Sequence, residues 1–278
     1  MRELYGVIGD PIAHSMSPLM HNDAFKALHY DADYHAFHVT PDNLEAAVKG
    51  MKAIGVSGFN VTIPHKTAII PYLDEIDPLA EAIGAVNTVV RKGTKWIGYN
   101  TDGPGFIQSL KEDWKEDVTN EHVLVVGAGG AAKAIYYALA QSGVKQIDIC
   151  NRTLEKAIAL QQANPFHCQS KAITLQDAEE CLAQYSLIVQ TTSIGMHPNV
   201  HLQPISLKHL NVNAYVADII YNPFETAFLA EAKRLGANIQ NGLGMFIYQG
   251  AIAFEKWTGQ TPDVKRMKQI VMDKLGGK

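Results

Sequence analysis

Two short stretches of the 278-residue chain carry side chains that could move a proton at the end of a strand. The first, Asn60-Val-Thr-Ile-Pro-His-Lys66, ends an apolar run, and its pattern predicts a strand followed by a helix. A lysine in a first helical turn is disfavoured by the helix dipole, which indicates that Lys66 is functional. Side chains at the carboxyl ends of strands in α/β proteins also face ligands.

The second stretch, Asn100-Thr-Asp-Gly-Pro104, places Asp102 after a strand and just before a helix. This aspartate fits two interpretations equally well, a helix N-cap or a catalytic acid. A lysine and an aspartate brought together can transfer a proton to an alkoxide formed by hydride delivery, as carbonyl reduction requires. The Tyr-x-x-x-Lys arrangement of short-chain reductases occurs at none of the eleven tyrosines.

A glycine-rich turn indicates the source of that hydride. Gly127-Ala-Gly-Gly-Ala-Ala132 follows the apolar run 122–126 and opens an alanine-rich helix. In a dinucleotide-binding turn, Gly127 permits the tight turn, Gly129 lets the backbone approach a pyrophosphate, and Ala132 lets helix and strand pack closely. The phosphates then lie on free N–H groups at the helix N-terminus.

The end of the next strand indicates which dinucleotide is preferred. An NAD site usually places Asp or Glu there for the ribose 2′-hydroxyl, whereas this chain has Asn151-Arg152-Thr153. A guanidinium attracts a 2′-phosphate, so the residues favour NADP. An alternative stays open, in which the glycines form only a tight turn and Asn151 is the N-cap of the following helix.

The pattern of the surrounding elements predicts the α/β class. β-branched runs alternate with helical patterns over the first hundred residues and again from His122, which is typical of βαβ units. We expect an N-terminal αβ domain with a mostly parallel sheet, including a helix capped by Ser17 and a hairpin around Gly93. A Rossmann-type domain follows. The chain length favours two domains with a cleft between them.

Composition limits the partners and the chemistry. The net charge of −4 gives no indication of nucleic acid or membrane binding, and the N-terminus lacks the basic lead of a signal peptide, so we expect a cytoplasmic protein acting on a small molecule. Cys150, Cys168 and Cys181 are odd in number and without C-x-x-C spacing, which predicts free thiols. No H-E-x-x-H motif occurs, and we expect no metal.

The assembled stretches resemble the shikimate dehydrogenase family from end to end. Their order and spacing make the resemblance specific. The matching stretches are His14-Ser-Met-Ser-Pro18, Asn60-Val-Thr-Ile-Pro-His-Lys66, Gly84-Ala-Val-Asn-Thr88, Asn100-Thr-Asp-Gly103, Gly127-Ala-Gly-Gly-Ala131, Asn151-Arg-Thr153, Asp218-Ile-Ile-Tyr-Asn-Pro223 and Asn241-Gly-Leu-Gly-Met245.

The resemblance implies roles for residues toward the substrate of that family, 3-dehydroshikimate or shikimate. It makes Lys66 and Asp102 the catalytic pair. Taken alone, Ser15 and Ser17 fit turn and cap positions, but the resemblance makes them donors to the substrate carboxylate. The full implied substrate-binding set is Ser15, Ser17, Asn60, Thr62, Lys66, Asn87, Asp102, Tyr221 and Gln249.

The resemblance also implies the NADP contacts and the domain limits. A substrate domain of residues 1–103 is completed by 243–278, with an NADP-binding Rossmann domain at 104–242. The implied cofactor residues are Gly127, Ala128, Gly129, Gly130, Ala131, Asn151, Arg152, Thr153, Lys156, Ile219, Gly242 and Met245. Two departures from the family pattern, Gln190 in place of Asn and Pro78 in place of an acid, put the contacts at those positions in doubt.

Two other functions fit parts of the pattern. An NAD-preferring quinate/shikimate dehydrogenase is the nearest alternative, and Arg152 speaks against it. A non-catalytic ligand-binding paralogue is the other, which the presence of both Lys66 and Asp102 disfavours. The sequence leaves the choice between monomer and homodimer open.

Overall fold

The chain folds into two compact units, each built around its own six-stranded sheet. The computed structural model describes residues 2–114 and 117–276, so the predicted domain limits at residues 1 and 278 lie outside the described part. One unit contains the residues up to Thr101 together with those from Ile247 onward. The other runs from Asp102 to Phe246. Helices and strands in both units confirm the α/β class.

The elements alternate along most of the chain. The strands are β1 (Glu3–Gly9), β2 (Ala32–His38), β3 (Gly58–Val61), β4 (Glu75–Ile76), β5 (Thr88–Lys92), β6 (Lys95–Tyr99), β7 (His122–Val126), β8 (Gln146–Cys150), β9 (Ala172–Ile173), β10 (Leu187–Gln190), β11 (Tyr215–Asp218) and β12 (Asn238–Gln240). The helices are α1 (Ser17–Ala27), α2 (Leu44–Ala53), α3 (Pro78–Ile83), α4 (Asp102–Asp113), α5 (Gly130–Gln141), α6 (Leu154–Gln162), α7 (Leu175–Glu180), α8 (Ala227–Arg234), α9 (Leu243–Thr258) and α10 (Val264–Leu275). None of the helices in the described ranges is long and apolar enough to cross a membrane.

The first unit has a mixed sheet in the order β2-β1-β3-β5-β6-β4. β1 is parallel to β2 and β3, whereas β5 is antiparallel to β3 and β6. The β5–β6 pair confirms the predicted hairpin, with Gly93 at a φ of +62° in the turn. Two C-terminal elements pack in this unit: Trp257 of α9 donates to the Val89 carbonyl at 2.9 Å, and Arg266 of α10 binds Asp23 of α1 at 2.6 and 2.8 Å.

Two local predictions for the first unit are wrong. No α-helix follows Pro64: residues 66–69 form turns, and a short 3₁₀ helix begins at Ile70. Pro71 explains the interruption, because it lacks an N–H and its ring would clash with the carbonyl four residues back. Ser17 is not an N-cap either, since α1 begins at Ser17 itself and Met16 holds the cap position without a side-chain bond.

The second unit has six parallel strands in the order β12-β11-β10-β7-β8-β9. This is the doubly wound order of the Rossmann fold, in which ligands bind where the strand order reverses, between β7 and β10. All residues of β10 and β11 are buried, as expected for strands with helices on both faces. The core contains Leu124, Ile188 and Val216 from three adjacent strands.

A buried histidine in the first unit lacks hydrogen bonds. His21 of α1 is fully buried and stacks on Tyr34 at 4.5 Å, with Phe254 and Trp257 of α9 nearby. Neither of its ring nitrogens has a hydrogen-bond partner among the described residues. Burial lowers the pKa of His21 from 6.5 to about 3. The imidazole is therefore neutral in the folded protein at physiological pH.

This histidine should make the protein sensitive to acid. Below its unfolded pKa of 6.5, the unfolded chain binds a proton that the folded chain does not, so stability falls as the pH drops toward 3. His21→Phe removes this loss of stability, because phenylalanine does not bind a proton. We expect its free energy of unfolding, relative to wild type, to improve by ~2 kcal/mol between about pH 7 and pH 5, measured by chemical denaturation.

Subtracting the free energy of unfolding of wild type from that of the variant at each pH removes the contribution of all other titrating groups. A packing cost of the larger ring that does not vary with pH leaves the pH dependence of this difference unchanged. The control is His35→Gln, at an exposed position on β2, which should run parallel to wild type. A His21→Phe curve parallel to wild type would contradict the assignment.

Candidate active site

The glycine-rich turn in the second unit connects β7 to α5. Gly127 has a φ of +117°, and its N–H donates to the Cys150 carbonyl at 2.8 Å. A Cβ at this position would lie 2.6 Å from Thr191 Oγ1, so Gly127 is required by both backbone conformation and space. The turn therefore packs directly against the loop that follows β10.

The next two glycines face open space. Gly129 is the N-cap of α5 and Gly130 its first residue, and both are exposed. A Cβ on either would meet no atom within 4 Å. Since the N-terminus of a helix presents unpaired N–H groups and a partial positive charge, this surface is suited to bind phosphate oxygens. Ala128 and Ala131 on either side are half-buried.

The residues after β8 present positive charge. Arg152, Thr153 and Lys156 are exposed, and no acid lies in the turn 151–153. Asn151 donates from Nδ2 to the Thr153 carbonyl at 2.8 Å, which closes the turn. The N-cap of α6 is Thr153, so the alternative interpretation of Asn151 as the cap is wrong.

Gln190, the departure from the family pattern, organises the loop after β10. Its Oε1 accepts from the Thr192 N–H at 2.6 Å, and its Nε2 donates to the carbonyls of Thr192 and Ile194 at 3.1 and 3.0 Å. The side chain is fully buried, so Gln190 shapes this loop from within. Thr191, which follows, donates to the Val126 carbonyl at 2.7 Å. Sequence reasoning did not identify Thr191.

A second loop of this unit follows β11 and is held by Asp218. This buried carboxylate accepts from the Ile220 N–H at 2.9 Å and from the Thr226 hydroxyl at 2.8 Å. Burial raises the pKa of Asp218 to about 6, against these two hydrogen bonds, which lower it. Sequence reasoning noted Asp218 only as part of a matching stretch and gave it no role.

The same loop carries two predicted site residues, Ile219 and Tyr221, and contacts two others near the start of α9, Gly242 by a backbone bond and the turn that holds Met245 by a ring contact. Gly242 donates to the Ile220 carbonyl at 2.9 Å, and a Cβ on Gly242 would overlap the Ile219 carbonyl, so the structure brings Ile219 and Gly242 together. Tyr221 stacks on Phe246 at 5.1 Å, and burial raises the pKa of its hydroxyl. Met245, in the first turn of α9, is half-buried.

In the first unit, the predicted substrate residues follow the ends of β1 and β3. The Thr62 N–H donates to the Ile8 carbonyl at 3.0 Å, which places Thr62 beside the end of β1. The carbonyl of Lys66 accepts from the Val86 N–H at 2.8 Å, which holds the backbone of Lys66 beside the residue preceding Asn87. Lys66 lies in a turn and is half-buried, so the helix-dipole argument does not apply to it.

Two predicted substrate residues of this unit are buried amides. Asn60 donates to the Asn87 carbonyl at 3.1 Å and is 6% exposed. Asn87 accepts from the Thr101 N–H at 2.8 Å and donates to the Thr101 hydroxyl at 3.0 Å. The structure thus brings Asn60, Asn87 and Thr101 together. Sequence reasoning did not single out Thr101, although it directly precedes Asp102.

Of the remaining predicted residues, Ser17 is buried, whereas Ser15, Asp102 and Gln249 are half-buried. Ser15 and Gln249 belong to the first unit, and the Ser15 side chain accepts a long hydrogen bond of 3.3 Å from the Ser17 N–H. Asp102 is the first residue of α4 in the second unit, a position where a carboxylate interacts favourably with the helix dipole. Residues 2–114 and 117–276 contain no group of three or more His, Cys, Asp or Glu side chains that could hold a metal ion.

Known proteins resemble the chain over its whole length. Three family descriptions match: a shikimate dehydrogenase substrate binding domain at residues 7–89, a shikimate / quinate 5-dehydrogenase at 109–218, and a shikimate 5′-dehydrogenase C-terminal domain at 242–272. A shikimate dehydrogenase (NADP(+)) from Bacillus cereus is 57% identical over 277 residues, covering 100% of both chains.

Solved structures also resemble the chain over nearly its whole length. A shikimate dehydrogenase in complex with NADP+ is 44% identical with a TM-score of 0.90, over 98% of this chain and 96% of that one. A shikimate 5-dehydrogenase from Thermus thermophilus, in complex with NADP(H) and shikimate, is 34% identical with a TM-score of 0.88, over 98% and 99% of the two chains.

The different surroundings of the turn glycines lead to a prediction. Gly127→Ala forces a strained φ and a clash with Thr191, and should lower the melting temperature and abolish NADPH binding together. Gly129→Ala meets no protein atom and loses only the preference of the N-cap position for glycine, so its stability should stay within about 1 kcal/mol of wild type, whereas its NADPH affinity should fall ~10-fold or more. Thermal unfolding and fluorescence titration with NADPH measure the two effects.

The control for both variants is Gly50→Ala on α2, where a Cβ also meets nothing within 4 Å. It should leave the NADPH affinity unchanged and raise stability by up to about 1 kcal/mol, because alanine replaces glycine inside a helix. A Gly129→Ala variant that binds NADPH like wild type would show that the pyrophosphate does not lie on this turn.

Proposed function

Because the chain belongs to the shikimate dehydrogenase family, we propose that it catalyses the reversible, NADPH-dependent reduction of 3-dehydroshikimate to shikimate, a step in the biosynthesis of aromatic amino acids. The observation that carries this proposal is the 57% identity to a shikimate dehydrogenase (NADP(+)) over the full length of both chains. Every stretch on which the sequence resemblance rests lies within that alignment. The enzyme is an oxidoreductase acting on a secondary alcohol.

The residues present fit the nicotinamide cofactor. Gly129 and Gly130 leave the N-terminus of α5 open for a pyrophosphate, and Arg152 and Lys156 supply two exposed cations for a 2′-phosphate. When bound, NADPH supplies the hydride that the ketone carbon requires. The residues that would hold it are Gly127, Ala128, Gly129, Gly130, Ala131, Asn151, Arg152, Thr153, Lys156, Ile219, Gly242 and Met245.

The proton is supplied by the protein in this proposal. As the ketone is reduced, negative charge develops on its oxygen, and Lys66 donates a proton from its ammonium so that an N–H bond breaks and an O–H bond forms. Asp102 accepts a hydrogen bond from the substrate hydroxyl and offsets the lysine charge. In the reverse direction, neutral Lys66 takes the proton back.

The remaining polar residues recognise the ring. Serine and tyrosine hydroxyls are suited to donate to a carboxylate, and we assign that role to Ser15, Ser17 and Tyr221. Thr62, Asn87 and Gln249 offer both donors and acceptors, as hydroxyl groups on a ring require. We further propose that the enzyme acts in the cytoplasm as a monomer or homodimer.

The function is tested by a panel of shikimate and quinate against NADP and NAD, with Arg152→Ala assayed in parallel. Wild type should oxidise shikimate with NADP far better than it uses quinate or NAD. Because Arg152 is assigned to the 2′-phosphate, Arg152→Ala should raise the KM for NADP ~10-fold or more and leave the KM for NAD within about twofold.

The control for the panel is Arg234→Ala, which removes another exposed arginine of the same unit, paired there with Glu231. It should behave like wild type. A wild-type preference for quinate with NAD would overturn the proposed function. Equal losses of NADP and NAD in Arg152→Ala would remove its role in cofactor choice.

The proposed acid gives a separate prediction. Lys66→Ala keeps the backbone bond to Val86 and removes the ammonium, so it should lower kcat by ~100-fold or more with little change in KM. Steady-state kinetics with shikimate and NADP measure both constants. Lys52→Ala, which removes an exposed lysine bound to Asp74 in the same unit, is the control. An unchanged kcat in Lys66→Ala would exclude the lysine from the chemical step.

A further inference from the structure

A chain of buried hydrogen bonds in the first unit begins at a tyrosine that the proposed mechanism does not use. Tyr34 of β2 is 1% exposed, and its hydroxyl donates to Asn60 Oδ1 at 2.7 Å. Asn60 Nδ2 in turn donates to the Asn87 carbonyl at 3.1 Å and to Thr88 Oγ1 at 3.0 Å. Three strands, β2, β3 and β5, are thus joined through one amide side chain.

The direction of these bonds is fixed. The Asn87 carbonyl can only accept, so the group of Asn60 that faces it is the NH₂ group, and the Tyr34 hydroxyl, whose pKa is raised by burial, donates to the amide oxygen. The Asn60 amide oxygen must therefore face Tyr34, and its NH₂ group must face Asn87 and Thr88. Both amide hydrogens of Asn60 are used by protein acceptors, which leaves none to donate to a ligand.

The chain continues to Asn87. Thr88 donates its hydroxyl hydrogen to Asn87 Oδ1 at 3.0 Å, and the Thr101 N–H donates to the same oxygen at 2.8 Å. Thr88 and Thr101 are both fully buried. The orientation of the Asn87 side chain is therefore set by Thr88, which Asn60 also binds, and by Thr101, the residue directly before Asp102.

The other end of the chain is tied to α1. Asn22 clamps the backbone of Tyr34, donating to its carbonyl at 2.8 Å and accepting from its N–H at 2.9 Å. His21 stacks on the phenol ring, and the Ser17 side chain hydrogen-bonds to Tyr34. The Tyr34 hydroxyl thus connects Ser17, assigned to the substrate carboxylate, with Asn60, and through Asn60 with Asn87, assigned to the ring hydroxyls.

We propose that Tyr34 is a positioning residue for substrate recognition, acting through Asn60 to fix Asn87, and that Asn60 itself makes no contact with the substrate. This inference rests on the proposed function and replaces the direct substrate contact that the sequence resemblance implies for Asn60. Removing the Tyr34 hydroxyl leaves Asn60 Oδ1 buried without its donor, so the amide can reorient and Asn87 loses its fixed orientation.

The test is steady-state kinetics of shikimate oxidation by Tyr34→Phe. Its KM for shikimate should rise ~10-fold, while kcat changes less than about threefold and the KM for NADP stays within about twofold. General destabilisation would instead lower the fraction of active molecules, and so kcat, without raising the KM of one substrate. Tyr5→Phe is the matched control, because Tyr5 is the register partner of Tyr34 on β1, is equally buried, and bonds to Glu3 instead.

A double variant tests whether Tyr34 acts through Asn60. If it does, Asn60→Ala and Tyr34→Phe/Asn60→Ala should raise the KM for shikimate equally. Additive losses, or a Tyr34→Phe variant that matches Tyr5→Phe, would overturn the inference. If Asn60→Ala does not fold, the comparison of the two tyrosine variants decides alone. Failure of the proposed function is distinct, because wild type itself would then not turn over shikimate.

Discussion

The close packing of Gly127 against Thr191 is the constraint on which the cofactor edge of the parallel sheet depends. β7 and β10 are neighbours in the sheet, and their following loops must pass each other where the strand order reverses. Any side chain at position 127 would occupy the place of the Thr191 hydroxyl, which satisfies the last carbonyl of β7. Because the crowding ends there, Gly129 and Gly130 remain open and the N-terminus of α5 is free to face phosphate.

In the first unit, the main constraint is that polar side chains must be held rigidly where water is excluded. A buried amide is costly unless all its hydrogen bonds are made, and a network that makes them all has one arrangement. Asn60 meets that condition through Tyr34 and Thr88. The buried His21 side chain makes no such hydrogen bonds with the described residues. The structure tolerates it because burial keeps the imidazole neutral between aromatic rings.

Local features of both units could be predicted from the sequence, whereas features set by distant contacts could not. The glycine turn and the β5–β6 hairpin depend on residues next to one another, and both were predicted. The α-helix predicted behind Pro64 is absent because Pro71, which the prediction did not take into account, interrupts it. β4 and β9 are two-residue edge strands without an alternating pattern of their own. The bond from Tyr34 to Asn60 spans 26 residues, and no spacing rule points to it.

The loop after β11 shows why residues that touch no ligand can still determine a site. Asp218 is buried, and since its folded pKa of about 6 lies above its unfolded value of 3.8, stability falls by about 3 kcal/mol as the pH rises through that range. An asparagine would avoid this cost, but its single oxygen could not accept on separate atoms from both the Ile220 N–H and the Thr226 hydroxyl. Those two bonds fix the backbone on both sides of Tyr221. Burial of the Asp218 carboxylate therefore lowers the stability of the protein, but its hydrogen bonds hold Ile219 and Tyr221, two proposed ligand contacts, in one conformation.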